Sequence, residues 1–174
     1  AIAQEKILGQ NTSEVDDFCG LSSQHMHSWL YDDLNDKKDV GFDRVTMALP
    51  FSPMLQILNV IVENIQQNGG KLKATAIGNL PTLVVKQANE LFAHLPHSTL
   101  DTYYQGSRED KFEALHITKI LADVAKLVVL DGKHFVLTEQ AKTLYNQGGI
   151  DALYLPMFTT FCQGYNWGYG DGYA

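Results

Sequence analysis

The side chains that could ligate a metal or move protons are scattered along this chain. Cys19, His25 and His27 lie close together. Two residues apart, the histidines point to different sides of a helix, and the spacing differs from paired zinc ligands. His94 and His97 are separated by Pro96, so they need not share a face, and His116 sits beside an apolar helical stripe as a partner for helix or backbone. Adjacent acids occur at Asp16-Asp17, Asp32-Asp33 and Glu109-Asp110. Neighbouring acids on a helix diverge, whereas a general acid–base pair must converge on one pocket. Beside Ser, Asn and Lys they read as caps and solvated turns. No GxSxG elbow, HExxH helix or Walker lysine is present. Gly168-x-Gly170-x-Gly172 follows no strand and precedes no helix, so it is no phosphate cradle. No catalytic, cofactor or metal residue is assigned.

The elements around these residues show a pattern that occurs twice. The first copy runs from Pro53 through Gly70-Lys71-Leu72-Lys73-Ala74-Thr75 into Leu83–Leu95. The second runs from Glu113 through Gly132-Lys133-His134-Phe135-Val136-Leu137-Thr138 into Gln140–Asn146. Each copy has an apolar helix, a turn with Gly-Lys, a strand ending in Thr, and a second helix. Helix–strand–helix units of this kind build winged-helix modules, in which wing lysines touch phosphate and a helix enters the major groove. The candidate nucleic-acid contacts are Lys71, Lys73, Lys133, His134 and Lys142. Leu127–Leu130 and Phe135–Leu137 read as a hairpin around Asp131-Gly132.

Residues 1–12 read as a loose arm. Short helices follow, one near Val15 and Phe18, the other capped at Ser22 or Ser23 and carrying Met26, Trp29, Leu30 and Leu34. Asn35–Asp39 reads as a solvated loop and Phe42–Leu49 as a short strand. Met54 to Ile65 forms a broad apolar stripe ended by Asn68-Gly69-Gly70. Residues 97–110 read as a polar linker. After Gly148-Gly149, apolar residues continue at helical spacing past Pro156, which should kink or restart the helix. Met157, Phe161, Tyr165 and Trp167 are the candidate interaction surface. The expected fold is α+β and mainly helical. Residues 1–50 form a helical N-terminal region, 51–96 and 111–149 two tandem winged-helix-like units, and 150–174 an aromatic helix and tail.

Composition narrows the function. The chain has 174 residues, 45% apolar, and net charge −7. Residues 1–50 hold nine acidic and four basic residues, −5, whereas residues 67–142 hold eight and nine, +1. That is far from the basic footprint of a DNA-binding domain. Arg44 and Arg108 are the only arginines, although Arg supplies the commonest base-specific contact. No apolar run reaches the ~18 residues of a membrane helix. Cys19 and Cys162 form no CxxC motif and read as reduced thiols of a cytosolic, soluble protein. The leading expectation is a non-catalytic interaction or regulatory module whose partner is another protein or downstream chain beyond Ala174. A nucleic-acid binder is the alternative, and an enzyme with a site between the units the third.

Four stretches carry a resemblance: Gly20–Tyr31, Leu72–Pro81, Gly132–Thr138 and Tyr165–Tyr169. In this order they resemble a family of uncharacterised bacterial proteins whose members are sometimes associated with SEC-C-type metal-binding segments. The resemblance implies no activity and no catalytic residues. The Cys- and His-rich segment itself is absent here, and family members continue past the aromatic stretch.

Overall fold

A computed structural model describes residues 2–31, 48–94, 108–166 and 168. Residues 42–47 of the strand expected at Phe42–Leu49, the acids Asp32-Asp33, Leu34, the loop Asn35–Asp39, His97, most of the 97–110 linker, and Trp167, Gly170 and Gly172 lie outside the described residues, and Leu49 opens a 3-10 turn, Leu49–Phe51, rather than ending a strand. The chain divides into two compact units, Ala1–Arg44 and Val45–Ala174.

In the first unit, helix α1 (Ile2–Thr12) occupies the segment expected to be a loose arm. Most of its residues are good helix formers, with Gly9 the weakest. The Ser13 hydroxyl closes the end by donating to the Gly9 carbonyl. A short 3-10 turn at Asp16–Phe18 ends at Cys19, whose φ is 55°. Helix α2 (Ser23–Tyr31) then starts from Ser22, whose Oγ accepts the His25 N–H at 3.2 Å. The expected cap is therefore in place.

The second unit is mainly helical around a small antiparallel sheet. Helix α3 (Pro53–Gln67) begins at Ser52, whose side chain accepts the Leu55 N–H, and Pro53 takes the first helical position. It buries Leu55, Ile57, Leu58, Ile61, Val62 and Ile65, so it is the central helix of the core. Gly69 (φ 68°) then allows the Gly70 N–H to reach the Ile65 carbonyl at 2.8 Å and its own N–H to reach Gln66. That is a Schellman closure, which needs a left-handed residue just past the helix. Strand β1 (Leu72–Lys73) follows, then a turn and helix α4 (Thr82–Ala93) after Pro81.

Helix α5 (Glu113–Val124) closes in the same way. Lys126 (φ 56°) donates to Asp123 at 2.9 Å, and Leu127 donates to Ala122 at 2.8 Å. A lysine thus holds the position that glycine holds after α3. Strands β2 (Val128–Asp131) and β3 (His134–Leu137) form the expected hairpin, with Gly132-Lys133 as its loop, one residue later than expected. Gly132, at φ 58°, takes the left-handed position such a loop requires.

The sheet order is β1-β3-β2, with Leu72 opposite Phe135 and Lys73 opposite His134. β1 therefore does not build a wing of its own; it pairs with the strand of the second copy. Leu72 and Phe135 are buried on the inner face, in the same cluster as α3, α4 and α5. The two copies are halves of one body.

Helix α6 (Glu139–Gly148) starts at Thr138, whose hydroxyl accepts the Ala141 N–H at 3.1 Å and donates to the Lys126 carbonyl at 2.6 Å. After a 3-10 segment, helix α7 (Tyr154–Thr159) restarts with Pro156 in its first turn and passes into a wider π-helical stretch, Thr160–Gly164. The Asp151 carboxylate fastens this end to the start of the unit: Oδ1 accepts from the Ala48 and Leu49 N–H groups, both at 2.7 Å.

Candidate functional site

Two places gather polar side chains. The first is the tip of the β2–β3 hairpin. The register sets Lys73, His134 and Asp131 in a row across the outer sheet face. Lys71 immediately precedes β1 and is exposed. Lys133 is in the hairpin loop, and its carbonyl accepts the Ala74 N–H at 2.9 Å. The sheet thus brings together Lys73, Lys133 and His134, the lysines exposed and the histidine half-buried, with Lys71 just before the strand. Lys142 lies elsewhere, on α6 beyond the far end of β3, and its ammonium contacts Glu139 at 2.6 Å.

The second is a buried cluster around Glu109. A 3-10 turn at Glu109–Lys111 leads into α5 and buries Phe112 and the Glu109 side chain. Oε2 accepts the Leu80 N–H at 2.6 Å, while Oε1 meets His116 Nδ1 at 3.0 Å and the Lys119 ammonium. The Lys119 side chain is 18% exposed and His116 33%. Expecting solvated acids at 109–110 is correct for Asp110 and wrong for Glu109. Arg108 Nε and Nη2 donate to Asp110 at 2.9 and 2.6 Å. That hydrogen-bonded guanidinium holds the Asp110 carboxyl below its ordinary range. Glu109 turns inward because the Lys119 ammonium, the His116 ring and a backbone amide satisfy it, conditions under which a carboxylate can be buried. The usable signal in the sequence is His116 and Lys119 at i, i+3, on one face of the helix that Glu109 precedes.

Chemically the cluster is a clamp. Both Glu109 oxygens are engaged, and they tie the turn before α4 to the start of α5. Among the described residues no three His, Cys, Asp or Glu side chains are grouped to hold a metal ion. Among the same residues no helix is long and apolar enough to cross a membrane.

The remaining candidates separate. Met157 is fully buried in the core, so it cannot present itself to a partner. Its position in α7 turns it inward, against the expectation of an exposed patch. Tyr165 is half-buried against the core, Phe161 is 37% exposed, and Trp167 lies outside the described residues. The Thr160–Gly164 stretch packs beside α5, where a Cβ at Gly164 would stand 3.6 Å from Val124 Cγ1.

Comparison with protein-family models, curated proteins and solved structures finds no match to this chain.

Proposed function

We propose that residues 53–137 form one winged-helix-type module, assembled from both sequence copies, and that it serves as a non-catalytic interaction or regulatory domain. The order helix, strand, helix, helix, strand, strand, with β1 beside β3, supports the winged-helix arrangement. In that arrangement α5 is the helix placed to enter a DNA groove.

The charges on α5 carry the functional choice. Its single lysine, Lys119, and its histidine, His116, both face Glu109. The exposed positions are Glu113, Asp123 and Val124. Phosphate contacts need free cations, and an acidic outer face repels the duplex. An interaction between proteins has no such requirement.

The test is a titration of labelled duplex DNA with the full chain at low salt. No binding is expected. Binding that weakens steeply as salt rises, with a slope set by several phosphate contacts, would overturn the proposal.

A further inference from the structure

No further inference is drawn: the strongest candidate, the exposed apolar surface at Ile77 and Leu130 where the turn after β1 meets β2, carries nothing because nothing in the structure shows what covers it.

Discussion

Glu109 offers the most demanding test of the physical picture. Replacing it with Ala removes a carboxylate with no solvent exposure and leaves three orphans. These are the Leu80 N–H, buried with its residue, the Lys119 ammonium, and His116. Breaking one side of a buried ion pair costs about 3–5 kcal/mol. An unpaired buried N–H costs about 1–3 kcal/mol, and this overlaps with the first figure rather than adding to it. Lys119, 18% exposed, can swing toward water, which favours the low end. The expected loss is about 3 kcal/mol, against a total stability of about 5–15 kcal/mol. For a chain of this size that lowers the melting temperature by about 6–12 °C. Glu109→Gln keeps the volume and an acceptor for Leu80 but not the charge, and should lose about 2 kcal/mol. The double variant Glu109→Leu/Lys119→Met should recover most of the loss of Glu109→Ala, because no charge is stranded. Urea and thermal denaturation followed by far-UV circular dichroism give the energies, and amide exchange reports on the Leu80 N–H. If Glu109→Ala loses less than about 1 kcal/mol and Leu80 exchanges as before, the carboxylate is not a buried clamp.

Three further outcomes are expected. Thr138→Ala removes both the α6 cap and the bond to the Lys126 carbonyl, lowering stability by about 1–2 kcal/mol, while Thr138→Ser stays near wild type in the same urea melt. Lys126→Gly relieves a left-handed lysine in an exposed position and should raise stability by about 0.5–1 kcal/mol, visible as a higher urea midpoint. Arg108→Ala frees the Asp110 carboxyl, so its NMR titration midpoint should move up toward the ordinary value. With Arg108 present, the pair's contribution to stability exists above the unfolded carboxylate range and fades as pH falls through the lowered midpoint; the variant lacks that acid-side dependence.

Local chemistry was legible in the sequence wherever neighbours decide it. Ser22 caps α2, Gly69 closes α3, and Gly132 turns the hairpin. The helical stripe from Met54 to Ile65 predicted the most buried helix, because its apolar width left no polar face to expose. Partners distant in sequence were not legible. Lys71–Thr75 alternates as a short strand should, but nothing local says that Leu72 pairs with Phe135. Glu109 sits among polar residues, and only the return of α5 and the Leu80 turn makes its burial affordable. Met157 belongs to an aromatic run that reads as exposed, yet its helix turns it onto the core. For the candidate residues, the types were visible, and the sheet then kept Lys73, Lys133 and His134 together while separating Lys142.

The central place of β3 governs how the chain can reach its native state. The β2–β3 hairpin joins neighbours across a two-residue loop, so it can close within microseconds. Strand β1 must find β3 across the whole stretch from Lys73 to His134, which includes α4 and α5. Its closure entropy comes due before its few contacts give anything back, so β1 should dock late in folding. Until it does, one edge of β3 is bare, and an unpaired strand edge is the usual entry point for domain swapping and aggregation. The short length of β1 keeps that template small, which limits the hazard while the slow step completes.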